Sequence, residues 1–571
     1  MTRRAHAGLV LLAAVASVAA SNSSSLAETP AEVRAIIVSR VGGLDALRVP
    51  ATDADMPQPN DPLFRITPEK KRLGKMLFFD PIRTNNIRPE FGGMTILSQT
   101  SSCGSCHIGP AASKAGQVVS IGNGGQGRGT IDPITGRFAA RREPFADLVD
   151  LLPTPLDVRD AAGTLTMSGR FDAVDGPGRA VPSVIGFATN TRLFWGGVAG
   201  EPYDPGNPAK ANANPGNLPT GENLVELTML GHRMFGTQRF AMQTNSVYME
   251  LFADAFPEEY AVKLASRNFD DLCNDGTIGR AIAAFLRTVI TRNTPFDRFL
   301  AGFDGALTTR QLRGARLFFD TTANGGANCV SCHSGPALNK VLGDEAGLLV
   351  EENFQNVGIG DHPLQELARQ TLGDPSIRDV GRQGATGDAA HAFKFKSPTL
   401  RQMRDAAPFM HSGELQTLRE VVEYFNNGVP ASADAAAAGN LSADFTNPRG
   451  PGETGLGLTE ADIEALVDFL ENGLYDPAFV THDPTSTTET FELNESDLTY
   501  SSRLRDLGAV DGRVPSGLHH PQTDALSIQD MTTTTPGDCG FIDLFSVLGI
   551  AAPLTLMSAR RRMRRRAPAG A

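Results

Sequence analysis

The feature that most constrains this 571-residue chain is a segment it uses twice. Cys103-Gly104-Ser105-Cys106-His107 recurs as Cys329-Val330-Ser331-Cys332-His333, and the flanks recur with it. Leu77-Phe78-Phe79-Asp80 precedes the first copy and Leu317-Phe318-Phe319-Asp320 the second, while Gly109-Pro110-Ala111 and Gly335-Pro336-Ala337 follow them. The chain is built around two copies of one unit.

The spacing gives the unit its chemistry. On one turn of helix, residues three and four apart share a face, so Cys103 and Cys106, or Cys329 and Cys332, can both reach the vinyl positions of one haem. The adjoining imidazole, His107 or His333, then meets the iron. The segment therefore reads as c-type haem attachment, twice. A zinc centre asks for a second Cys pair or a further His at ligand spacing, and a thioredoxin-like pair needs no His directly after it. Four of the six cysteines are thereby used. Cys273 and Cys539 remain, one in the body and one in the tail, which excludes a disulfide framework as the basis of the fold.

The length leaves room for more than one domain and a sizeable core. A formal charge of −12 offers no basic surface for nucleic acid, and favours solubility and a basic redox partner. Thr2-Arg3-Arg4 followed by an apolar run from Ala7 to Ala20 reads as a secretory signal over residues 1–27, so the mature chain is expected to be exported. That run is short for a bilayer span.

Residues 28–61 form a lead-in rich in Pro and Asp. Thr67-Pro68 then predicts a helix start, with Leu73, Met76 and Leu77 as its apolar stripe. Residues 108–178 are polar and Gly-rich, and read as a loop insertion capping the first haem. Further helices are predicted from Asn223 to Leu230, from Ile278 through Val289, from Thr308-Thr309, around Leu418 to Phe425, and after Thr459. The sole tryptophan, Trp195, lies in Leu193-Phe194-Trp195-Gly196-Gly197; by default it is a core residue with its N–H bonded. Residues 479–538, rich in Thr, Ser, Asp and Pro, read as a disordered stalk or linker. Residues 539–571 hold an apolar run and an arginine cluster, Arg560-Arg561-Arg562-Met563-Arg564-Arg565-Arg566, and read as a sorting signal or a membrane anchor.

The order of motifs resembles the bacterial dihaem cytochrome c peroxidase family, which includes MauG-like enzymes. Two Leu-Phe-Phe-Asp…Cys-Xaa-Xaa-Cys-His units, Phe194-Trp195-Gly196 between them, and Pro398-Thr399-Leu400-Arg401 and Pro408-Phe409-Met410-His411 after the second carry the resemblance, over about residues 62–478. It implies an all-α fold of two cytochrome c-like domains packed together, residues 62–300 and 305–478, joined by long loops. It further implies that the His107 haem reacts with hydrogen peroxide, that the His333 haem relays electrons, that Trp195 lies between them, and that His411 sits beside the second haem. The donor would be a small protein such as a cytochrome c or cupredoxin, and a homodimer is compatible with the family. Two other readings stay open: MauG-like oxidation of a protein or organic substrate, and a non-catalytic electron-transfer cytochrome.

The chain departs from this family at three places. The distal glutamate is missing, and residues 232–242 contain no carboxylate; His232 or Gln238 is left to move the proton that O–O cleavage requires. The position that supplies the sixth ligand of the second haem is Phe425, leaving Tyr424, rotated by about 100° on a helix, or Met410. Ala180 stands where relatives often have Asn, so a bound calcium is not carried over. His362, His391, His482, His519 and His520 are expected to be solvated.

Overall fold

A computed structural model describes residues 28–79, 103, 107, 111–112, 118–119, 130–131, 138–139, 179–231, 242, 246–344, 346–361 and 378–479. The signal, most of the 108–178 insertion, Cys106, His232, Gln238, His362, and the stalk and tail lie outside the described residues.

Helices begin where side chains can satisfy the orphan amides of a first turn. The Thr67 hydroxyl accepts from the Lys70 amide at 3.2 Å and opens Pro68–Phe79. Reciprocal boxes of Thr308 with Gln311, Thr417 with Glu420, and Thr459 with Asp462 open Thr309–Phe319, Leu418–Asn427 and Glu460–Asp468. The helix expected to run through Val289 instead spans Asp275–Leu286. Beyond it the bonds tighten to three-residue spacing, Thr288 to Phe285 and Val289 to Leu286, and the Thr288 hydroxyl also donates to the Phe285 carbonyl at 2.7 Å.

In chain order we label α1 Pro30–Val41, α2 Pro68–Phe79, α3 Thr220–Gly231, α4 Ser246–Ala255, α5 Asp275–Leu286, α6 Pro295–Leu300, α7 Thr309–Phe319, α8 Leu418–Asn427 and α9 Glu460–Asp468. About half of the described residues are helical, with three short antiparallel ladders. Val118–Val119 pairs with Arg179–Ala180, Thr130–Ile131 with Phe138–Ala139, and Phe354–Gln355 with Phe395–Lys396.

Two apolar clusters form the core. The first packs Leu73, Met76, Leu77, Phe78 and Phe79 of α2 against Tyr248 and Phe252 of α4 and Ile278, Ile282 and Phe285 of α5. The second packs Leu312, Phe318 and Phe319 of α7 against Phe296 and Phe299 of α6 and Ile463, Leu466 and Phe469 in and after α9. Each fully buried Phe is worth about 1.5–3 kcal/mol. Residues 28–61, a lead-in by composition, carry α1, which Thr29 and Glu32 cap reciprocally. Its Val33, Ile37 and Val41, spaced four apart, join the second cluster.

The repeated unit extends into these helix crossings. A Cβ on Gly74 would stand 1.9 Å from the Ala281 carbonyl oxygen, and one on Gly314 would stand 2.1 Å from that of Ala465. Phe285 and Phe469, each four residues further on, flank the two contacts. Both crossings require backbone-to-backbone contact that only glycine permits.

Candidate haem sites and the residues between them

In the second unit, the His333 amide bonds to the Cys329 carbonyl at 3.0 Å and the Cys332 amide to the same oxygen at 3.2 Å. One tight turn therefore carries Cys329, Cys332 and His333, both thiols being free. His333 Nδ1 lies 3.0 Å from the Leu338 carbonyl, to which it can donate, and this leaves Nε2 to ligate iron. The loop is pinned from Pro398-Thr399-Leu400-Arg401. The Thr399 hydroxyl donates to the Ala337 carbonyl at 2.7 Å and Arg401 Nε to that of Pro336 at 2.6 Å.

The first unit repeats this plan. The His107 amide bonds to the Cys103 carbonyl at 2.9 Å, and the Ser183 hydroxyl donates to the Ala111 carbonyl at 2.5 Å. The carbonyls of Ala112 and Pro182 favour the protonated His107 ring as those of Leu338 and Pro398 favour that of His333, although no bond of full hydrogen-bond geometry reaches His107 Nδ1. Burial outweighs them in both, lowering His107 to about 4 and lowering His333. Each ring is thereby neutral near pH 7, the form that binds iron. Burial pushes the Cys329 and Cys332 thiols up to about 12 and about 11. The oriented imidazole and the paired thiols of the second unit fit a c-type haem, and Cys103 and His107 repeat that relation.

Trp195, which falls between the two units in the sequence, is half-buried at the tip of a loop. Its indole N–H donates to the Ala180 carbonyl at 2.8 Å, and the Ala180 amide donates to the His411 carbonyl at 2.8 Å. The indole is 6.4 Å from the His411 ring, edge-on at 65°, and His411 stacks on Phe395 at 3.4 Å. The Lys396 amide bonds to the Trp195 carbonyl at 2.9 Å. Beside them Arg179 Nε donates to the buried Asp379 carboxylate at 2.6 Å. Burial alone would raise the Asp379 carboxyl, but Arg179 and then His411 hold it below its usual range. Burial also pushes the Lys396 ammonium down to about 8; it donates to Asn190 Oδ1 at 3.1 Å.

Trp195 and His411 are thus brought together. Tyr424 is engaged elsewhere: its hydroxyl donates to the Val357 carbonyl at 2.7 Å and its ring stacks on Phe445 at 5.0 Å, with burial pushing the phenol up to about 12. Phe425 packs at the edge of the second cluster. Met410 is half-buried, with φ 68°, immediately before His411. His391, expected to be solvated, is half-buried with Nδ1 3.0 Å from the Thr386 hydroxyl. Sequence reasoning passed over Arg179, Asp379 and Arg382. Gly381-Arg382 carries no motif of its own, and the ion-pair partners lie far away in the chain.

Residues 68–305 match the family model described as "Di-haem cytochrome c peroxidase". The chain is 30% identical over 251 residues to cytochrome-c peroxidase IdrP2 of Denitromonas iodatirespirans, covering 41% of this chain and 58% of that protein. It is 23% identical over 416 residues to the methylamine utilization protein MauG of Methylorubrum extorquens, covering 73% and 81%. A solved MauG-like protein associated with microbial copper homeostasis aligns with TM-score 0.46 and 22% identity, covering 75% of this chain and 95% of that one. The chain is thus similar to members of the bacterial dihaem cytochrome c peroxidase and MauG-like family, and its paired attachment segments match the two c-type haems that such proteins carry. It spans about half the length of the first curated relatives it matches.

Proposed function

We propose that this chain is an exported dihaem oxidoreductase of two cytochrome c-like domains that reduces hydrogen peroxide to two waters, taking two electrons from a small donor protein and two protons from solvent. The observation that carries the reading is that the sole tryptophan meets His411 edge-on, in a chain that carries two attachment units of the same local design. Bound at these units, c-type haem supplies the redox chemistry, with peroxide taken at the first site and electrons held at the second. His107 and His333 hold the irons as neutral imidazoles, and Trp195 offers a π-system between the sites. Proton movement falls to His232 or Gln238. The sixth ligand at the second site falls to Tyr424 or Met410; ligation by Tyr424 requires its bond to Val357 to break.

The absence of a carboxylate from residues 232–242 favours a second reading, in which the oxidising power is spent on a protein or organic substrate. Among the described residues no helix is long and apolar enough to cross a membrane; attachment to a membrane would rest on the C-terminal tail.

EPR and optical spectra of the diferric protein before and after one equivalent of peroxide test the proposal. A high-spin iron whose spectrum changes with peroxide is expected, with turnover that falls in Trp195→Phe. Two low-spin haems indifferent to peroxide, in the oxidised and half-reduced protein alike, would overturn it in favour of simple electron transfer.

A further inference from the structure

The loop that presents Trp195 closes its own base but does not hold its own tip. At the base, Leu193 and Ala199 bridge, and Arg192 Nε pairs with Glu201 at 3.0 Å. At the tip, Phe194 has φ 67° and Gly197 φ 76°, so the backbone on either side of Trp195 runs through the left-handed region. For Phe194 that conformation carries a cost that something outside the loop must offset.

The outside contact is the side chain of Arg382. Its guanidinium is fully buried and donates to the Gly197 carbonyl at 3.1 Å and to the Gly196 carbonyl at 3.4 Å, the two peptides after Trp195. Its other edge is fixed by Glu351, at 2.9 Å from Nε and 2.6 Å from a terminal nitrogen, and by Glu201 at 2.8 Å. Its plane lies over the Phe354 ring at 4.6 Å. A planar fork with every edge engaged has little freedom, and a lysine cannot reproduce it. The approach is close as well. A Cβ on Gly197 would stand 2.3 Å from Phe354 and 2.9 Å from the guanidinium, and one on Gly196 would stand 2.9 Å from the Gly381 carbonyl oxygen.

We infer that Arg382 is a positioning residue for Trp195: it fixes the two carbonyls after the indole and so sets how the ring meets Ala180 and His411. The ion pairs are the means by which the fork is aimed. Glu201 keeps Arg192 and Lys210 as partners without it, so the network does not collapse when Arg382 is changed. The kinetic arm of the test rests on the relay role proposed for Trp195; the spectroscopic arm does not.

Because Trp195 is the only tryptophan, ultraviolet resonance Raman of the holoprotein reads this one indole and its N–H···O=C bond. Arg382→Lys and Arg382→Gln are expected to shift the indole N–H band while the haem spectra stay as they are. Peroxide turnover should fall about tenfold or more, as expected when a reacting partner is displaced by an ångström or less. In a Trp195→Phe background the same changes should cost almost nothing further, since a residue acting through another is not additive with it. Should both variants fail to fold, Glu351→Gln, which removes the charge and one of the two acceptor oxygens of a half-exposed partner, should shift the band in the same direction. An unchanged indole band in a folded variant overturns the inference, as does a turnover loss that adds in full to that of Trp195→Phe. If Trp195→Phe itself leaves turnover intact, the relay reading fails, and the indole band still decides the role of Arg382.

Discussion

The two attachment loops share their fastenings but not their strength. In each, a hydroxyl beside a proline, Ser183 or Thr399, holds the carbonyl four residues after the histidine. Two residues on, the copies diverge: the first has Ile185, buried in the apolar cluster, and the second has Arg401. Arg401 is fully buried, reaches the Pro336 carbonyl, and pairs through both terminal nitrogens with Asp297 at 3.0 and 2.8 Å. Asp297 belongs to α6, which packs in the second cluster, so the second loop is tied by charge to its own core. At this position the duplicated scaffold carries a packed Ile185 in one copy and a buried ion pair in the other. Such a pair adds little net stability over well-packed apolar residues, but losing one partner strands the other's charge.

The sharpest way to break this comparison is Arg401→Leu. The change leaves the Asp297 carboxylate, 11% exposed, without its cation, and removing one partner of a buried pair costs about 3–5 kcal/mol. Urea unfolding of the holoprotein should show that loss, and Arg401→Leu with Asp297→Asn should recover part of it. A single-mutant cost near that of a surface change would mean the pair does not hold the second loop.

Acid sharpens the same point. Burial would raise the Asp297 carboxyl, but the charge and hydrogen bonds of Arg401, with those of Thr294, hold it below its ordinary 3.8. A carboxyl lowered in the folded state contributes stability that is present above the unfolded value and lost as pH falls through the folded one. The urea midpoint should therefore drop on acidification below about pH 4, and Asp297→Asn should remove this part of the slope. A slope unchanged in that variant would exclude Asp297 as its source.

Where the copies agree, equal effects are expected. Gly74→Ala and Gly314→Ala each drive a methyl into a backbone carbonyl, and each should cost about 3 kcal/mol, the upper end of ordinary overpacking. Loss at one site alone would show that the two crossings are not equivalent.

Much of this was legible in the sequence because it is local. Both attachment turns, the caps at Thr67, Thr308, Thr417 and Thr459, and the stripes of α2 and α9 follow from neighbours within one or two turns. The stripe of α1 was equally local, and the Pro and Asp around it masked a spacing of four that was there to be read. What was hidden depends on contacts between distant residues. Arg382 meets Glu201 and the Gly196 and Gly197 carbonyls across more than 180 positions, and no period or cap marks it. The motif order marked Trp195 and His411 as functional; that their rings meet edge to face, with Phe395 stacked behind, needed coordinates.

The smallest effect tests the shared fastening itself. Ser183→Ala and Thr399→Val each remove one hydroxyl and leave a carbonyl, of Ala111 or Ala337, without that donor. A neutral hydrogen bond of this kind is worth about 1 kcal/mol, and Thr399→Val keeps the volume of the side chain. Urea unfolding should register that cost in both variants if the units fold as repeats. Local consequences should differ. Thr399→Val leaves the Arg401 bond to Pro336 in place, so the absorption and EPR signals of the second haem should hold steady. Ser183→Ala has the packing of Ile185 rather than a buried ion pair behind it, and the first haem should show the broader spectral change. Equal broadening at both haems would mean that Arg401 adds nothing to the second loop, and the contrast between the copies would reduce to sequence alone.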